Sequence, residues 1–160
     1  MVAPAIHFRI ECADRHAHLF SVLLRIERPA ARQRVTLPVW IPGSYLVREF
    51  AKNLQDLEAR QARRALAVQQ LDKCSWQIDC TPGKPLELRY QVCAYDNSVR
   101  TAWLDATRAF FNGTSLCLRV DGQAEAPHAI EIVAPKLAPD QPRWSCATAL
   151  QPTKTDRQGF

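Results

Sequence analysis

Leu86-Glu87-Leu88-Arg89-Tyr90-Gln91-Val92-Cys93-Ala94 places Leu86, Leu88, Tyr90, Val92 and Ala94 at every second position. A period of two puts alternate side chains on one face of an extended backbone, so this stretch predicts a strand with one buried and one wet face. Thr81-Pro82-Gly83-Lys84, just before it, is a turn by composition. Near the start of the chain, Phe8, Ile10 and Cys12 alternate with His7, Arg9 and Glu11. Beyond an Asp14-Arg15 turn, the richer apolar run Leu19 to Ile26 reads as a central strand returning antiparallel to the first.

Val35, Leu37 and Val39 alternate with Thr36, Pro38 and Trp40 and run into Ile41-Pro42-Gly43-Ser44. Pro38 and Pro42 each remove a backbone donor and Gly43 permits a positive φ, so this strand must end at a turn or lie at a sheet edge. Leu54 to Arg60, Ala65 to Gln70 and Ser75 to Cys80, with Trp76 and Ile78 on one face, read as three short strands. A turn over Gln61 to Arg64 joins the first two, although residue propensity over 53–70 also permits a helix. A short helical piece is expected around Trp103 to Arg108, then a strand from Phe110 through Val120, then one from Ala129 to Ala134. The remainder, with Pro135, Pro139, Pro142 and Pro152, is extended. The fold class is therefore all-β and mainly antiparallel, a β-sandwich or saddle-shaped sheet with at most one or two short helices.

At 160 residues the chain fills one core and is too short for two. We place a single β domain at 1–150 and a polar linker, or the start of a further domain, at 151–160; the polar ending suggests the front piece of a longer protein. Hydrophobic residues at 47% and charged residues at 23% are ordinary for a soluble fold, and no apolar run is long enough to cross a bilayer. The start lacks a basic leader before an apolar segment, which favours the cytoplasm. The six scattered cysteines then read as free, mostly buried thiols. If Cys74 and Cys80 shared one straight strand they would lie roughly 20 Å apart, beyond any disulfide.

The net charge of +5 comes from 21 basic against 16 acidic residues spread along the chain. Arg60, Arg63 and Arg64 form the one local basic concentration, without interleaved aromatics, so no nucleic-acid or membrane partner is expected. His16 and His18 would share a strand face as a metal pair does, with His7 nearest as a third, but a hairpin of exposed polar residues explains them more simply. Ser44 lacks the strained Gly-x-Ser-x-Gly setting of a nucleophile and reads as a turn residue or the cap of a short helix from Tyr45. Glu49, Asp56, Asp96 and Asp105 have no spacing that defines an acid-base pair. We expect no catalytic residue and no metal ligand in the chain. Phe110-Phe111-Asn112-Gly113-Thr114-Ser115 holds an Asn-Gly pair, which makes a tight hairpin turn or a polar ledge that contacts a ligand or another domain.

Trp40-Ile41-Pro42-Gly43-Ser44-Tyr45 with Arg48-Glu49-Phe50, then Trp76, Tyr90, Tyr95-Asp96-Asn97-Ser98-Val99-Arg100, Leu104-Asp105 and Phe110-Phe111-Asn112-Gly113-Thr114 occur in an order that resembles the N-terminal domain of the glycyl aminopeptidase family of zinc metallopeptidases. The resemblance covers most of residues 5–135. It implies a parent with a β-rich first domain, a thermolysin-like catalytic domain bearing His-Glu-x-x-His and a C-terminal PDZ domain. Zinc is then a cofactor of the parent, with none in this chain. The implied partners are the parent's own catalytic domain and a peptide substrate. Tyr45, Asn112, Gly113 and Thr114 are the candidate contacts to that substrate or domain, and peptidase activity is not expected of this chain alone. The alternative is a free-standing module binding protein or carbohydrate through Trp40, Trp103 or Trp144.

Overall fold

The computed structural model describes residues 4–153. The C-terminal part of the expected 151–160 linker thus lies outside the described residues. The strands are β1 (Ile6–Asp14), β2 (Leu19–Ile26), β3 (Arg32–Thr36), β4 (Leu54–Gln61), β5 (Arg64–Leu66), β6 (Gln69–Asp72), β7 (Ser75–Asp79), β8 (Leu86–Cys93), β9 (Ala102–Leu104), β10 (Ala109–Phe111), β11 (Arg119–Val120) and β12 (His128–Val133). A 3-10 turn at Phe50–Asn53 and a one-turn helix, α1 (Gly113–Leu116), complete the order.

Six strands form one sheet in the order β12-β1-β2-β8-β4-β5, four form a second in the order β11-β3-β7-β6, and β9 and β10 pair as a hairpin. The alternation that predicts β8 sets the register. Val22 pairs with Ile10 on one side and Tyr90 on the other, and Leu24 with Phe8 and Leu88. Each such row is apolar on the inner face, so a slip of one residue would turn a whole strand's apolar set to water. Val35, Trp76, Ile78 and Val120 of the second sheet join these side chains in a single buried cluster. Two sheets sharing one core make the fold a mainly antiparallel β-sandwich. Burying each large side chain contributes about 1.5–3 kcal/mol. On the outer face of the larger sheet, Arg9 pairs with Glu11 and Glu131, and Arg25 with Glu27 at 2.6 Å and Glu87 at 2.9 Å. Such exposed pairs contribute about 0–1 kcal/mol each and keep the face wet.

Several local expectations are corrected. The strand expected to reach Val39 stops at Thr36, because Pro38 lacks the donor that pairing needs. Ala65 to Gln70 divides into β5 and β6, which belong to different sheets. Trp103 to Arg108 is not helical: β9 and β10 pair through Phe110 with Trp103, and Asp105 Oδ1 closes the turn by accepting the amides of Thr107 at 2.7 Å and Arg108 at 2.9 Å. The strand expected from Phe110 through Val120 is interrupted by α1. Asn112-Gly113 therefore starts a helical turn rather than a hairpin, with Cys117 N–H bonding Gly113 O at 2.7 Å. The last strand, β12, runs parallel to β1, from Ile6 opposite His128 to Glu11 opposite Val133. All six cysteines are free and half-buried, less enclosed than expected.

Candidate functional site

Ile41-Pro42-Gly43-Ser44 is a tight turn closed by Ser44 N–H to Ile41 O at 3.2 Å, with Gly43 at φ +80. Pro second and a positive-φ Gly third are what a type II turn requires. Trp40 Nε1 donates to Ser44 O at 2.8 Å, and the Arg48 amide bonds Val39 O at 2.5 Å, so residues 39–48 form a closed loop. Ser44 is buried; its Oγ accepts the Leu46 amide at 3.3 Å and donates to Leu46 O at 2.9 Å. It steadies the loop, and no helix starts at Tyr45. The same bonds turn Tyr45 fully outward and leave Leu46 64% and Val47 72% exposed.

A second loop, Tyr95 to Thr101, is held by Thr101, whose Oγ1 donates to Asp96 O at 2.9 Å. Asn112 ties this loop to the start of α1. Its Nδ2 donates to Val99 O at 2.5 Å and its backbone N–H to Thr101 O at 3.2 Å. Ser115 Oγ lies 2.8 Å from Asn112 O and 3.1 Å from Thr101 O, so its single proton is shared between two carbonyls and closes the junction from inside. Beneath it, buried Tyr90 bonds Leu116 O at 2.7 Å, so the most regular strand of the sequence supports this rim directly.

Between the loops lies an open cleft of about 540 Å³, lined by Ile41, Pro42, Gly43, Val99, Arg100, Asn112, Gly113 and Thr114. Three of the four candidate contacts meet here, namely Asn112, Gly113 and Thr114. Tyr45 does not line the cleft and projects from the adjoining loop. Sequence reasoning missed Arg100, the one charged residue in the lining, because an arginine in a polar loop carries no distinguishing pattern. Thr114 Oγ1 is buried and has no hydrogen-bond partner among the described residues.

The histidines do not form the strand pair considered above. His16 is exposed in a turn capped by Asp14 Oδ1, whereas His18, at φ 59, meets Leu104 O through Nδ1 at 2.6 Å and packs on Tyr95 with ring centroids 4.0 Å apart. Trp103 stacks on Tyr95 with ring centroids 4.9 Å apart and lies 6.4 Å from His18, and Trp144 lies under Arg15. Glu49 pairs with Lys73 at 3.2 Å. Among the described residues no three His, Cys, Asp or Glu side chains gather in a way that would hold a metal ion, and no helix is long and apolar enough to cross a membrane.

No curated protein matches the chain. Among solved structures it is similar to the crystal structure of an aminopeptidase N family protein from Idiomarina loihiensis, at 41% identity and a TM-score of 0.90, over 97% of this chain. The match spans 26% of that protein's length. The family model of the peptidase M61 N-terminal domain matches residues 7–160. Both agree with the ordered motifs that run from Trp40 to Thr114, and the chain belongs to the family of peptidase M61 N-terminal domains.

Proposed function

We propose that this chain is the noncatalytic N-terminal domain of a zinc-dependent aminopeptidase, that it packs on a catalytic domain formed by other residues, and that its cleft rim helps hold the amino end of a peptide substrate. The observation that carries the reading is the exposed apolar loop beside the cleft. Tyr45, Leu46 and Val47 follow one another, with Leu46 64% and Val47 72% exposed, on the loop whose Ile41-Pro42-Gly43 turn forms one wall of the cleft, and Val99, 75% exposed, lines the cleft itself. Scattered apolar residues are normal on a surface, but a group of them beside a cleft marks an interaction site. The solved relative is about four times as long as its matched part, which leaves room for the domain that would cover this loop.

Zinc finds no donor set among the described residues, so the metal, which would activate a water for peptide hydrolysis, belongs to the partner domain in this reading. What this chain adds is positioning. With Nδ2 committed to Val99 O, the Asn112 amide is oriented and its Oδ1 is left to accept from a substrate ammonium. A fixed acceptor of this kind lowers the entropy cost of aligning the scissile bond. Six free cysteines support a reducing, cytoplasmic setting, and a PDZ domain at the far end of the parent follows from the family resemblance.

The test is the full-length gene product. We expect a His-Glu-x-x-His sequence downstream and an aminopeptidase activity that chelation removes and zinc restores. Acetylated peptides should be cleaved poorly, and Asn112→Ala should raise KM more than it lowers kcat. Absence of that sequence, or peptide turnover by residues 1–160 alone, overturns the proposal.

A further inference from the structure

Resting on the docking reading above, the geometry points to a carboxylate of the catalytic domain as the group that enters the cleft at Arg100. Arg100 is exposed and no acidic side chain pairs with its guanidinium among the described residues; other surface arginines such as Arg15 and Arg28 share that state, but Arg100 is the one that lines the cleft. The rest of the lining is Ile41, Pro42, Gly43, Val99 and the Asn112-Gly113-Thr114 turn, so one cation sits in a mostly apolar and amide wall.

Covering that wall with another domain removes water from the guanidinium. A buried unpaired charge costs far more than a paired one, so a stable cover must bring an anion with it. The planar fork of arginine matches a carboxylate, and the apolar loop from Tyr45 to Val47 supplies the dry rim that strengthens such a pair. The same reasoning divides the cleft. A substrate ammonium is repelled at the Arg100 end and is accommodated at the Asn112 Oδ1 end, so the two halves serve different groups.

The experiment is footprinting of the full-length protein by hydroxyl radicals, read at Tyr45, Leu46 and Val47, each normalised to the intrinsic reactivity of its side-chain type, with exposed Leu71 as internal reference. In the unaltered protein the three residues should label well below Leu71. Arg100→Glu should raise their labelling about tenfold or more, as expected for losing a charge-assisted pair and adding repulsion. Arg100→Lys, which keeps the charge, should stay much closer to the unaltered protein, and high salt should weaken protection in the unaltered protein more than in Arg100→Gln. If the loop is protected but Arg100→Glu and Arg100→Gln leave it protected, the carboxylate is wrong and the docking reading stands. If Tyr45 to Val47 label as readily as Leu71 in the unaltered protein, docking at this face fails, and this inference with it.

Discussion

The phenol of Tyr90 donates to Leu116 O at 2.7 Å and accepts the amide of Leu118 at 3.3 Å, joining the middle of the main sheet to the segment that follows the cleft rim. Both partners are buried, so neither can turn to water instead. Tyr90→Phe should lower the unfolding free energy by about 1–3 kcal/mol, measured by denaturant titration, because it strands two buried backbone groups while keeping the ring's packing. Amide exchange at Leu118 should accelerate more than at Ile6, which lies in the same core but pairs with Ile26 and His128 and not with Tyr90.

Alkaline pH should destabilise the fold. Burial pushes the Cys117 thiol up to about 12 and the Cys12 thiol up to about 11 from 9.0, and pushes the Tyr90 phenol well above 10.0. These groups are neutral when protonated, so the unfolded chain loses its protons first. Their contribution is fully present below 9.0 and is lost progressively as pH rises toward the folded values. Denaturation midpoints should fall above pH 9.0, and Cys117→Val should make that decline shallower.

Acid should act on the β9–β10 turn. The Thr107 amide, followed by the Thr107 hydroxyl, the Trp103 indole and the Arg108 amide, holds the Asp105 carboxyl well below its ordinary 3.8. The stabilisation from Asp105 is present above 3.8 and is lost as pH falls through the lower folded value. The Trp103 indole N–H, which donates to Asp105 Oδ2 at 2.8 Å, should report the loss in an NMR titration. In Asp105→Ala that indole signal should be displaced already at neutral pH and the transition absent.

Two glycines of the cleft should respond differently to alanine. Gly43 lies at φ +80, where an added Cβ would meet no atom within 4 Å, so the cost of Gly43→Ala is backbone strain alone, about 1–2 kcal/mol. Gly113 has open space as well but no positive φ, and Gly113→Ala should be neutral or stabilising by up to about 1 kcal/mol. Thermal unfolding of the two variants measures the difference.

Thr114 separates stability from function. Its Oγ1 is buried without a partner among the described residues, so Thr114→Val should hold or raise the melting temperature, since the replacement has the same shape and no polar atom to satisfy. Under the proposed function Thr114 lines the cleft that holds the substrate's amino end, and kcat/KM of the full-length protein should fall in the same variant.

Periodicity made the long strands legible. β1, β2 and β8 each run for eight or nine residues, long enough for a period of two to stand out and for the apolar set to define one face. β9, β10 and β11 have two or three residues, too few to show any period; the first two are held by Asp105 and Asn112 bonding to backbone groups of turns, and β11 by pairing with β3. That is why Trp103 to Arg108 suggests a helix and Phe110 to Val120 a continuous strand. In the cleft, the Pro-Gly and Asn-Gly pairs announce turns, but that the two turns face one another across Val99 and Arg100 is a product of tertiary pairing. Tyr45, singled out by its place in the motif, stands outside the cleft because the Ser44 bonds turn it away.

The pairing of β12 with β1 has a consequence for synthesis. Ile6 waits for His128, so the edge of β1 opposite β2 stays open until nearly the whole described chain has been made. Contacts of such long sequence separation form late and slow the folding of a sheet. Through that interval β1 offers an unpaired edge beside a growing apolar face, the condition under which nascent chains pair with one another. A ribosome stalled before residue 128 should therefore display a sticky sheet, and the passage of six residues, His128 to Val133, ends the exposure.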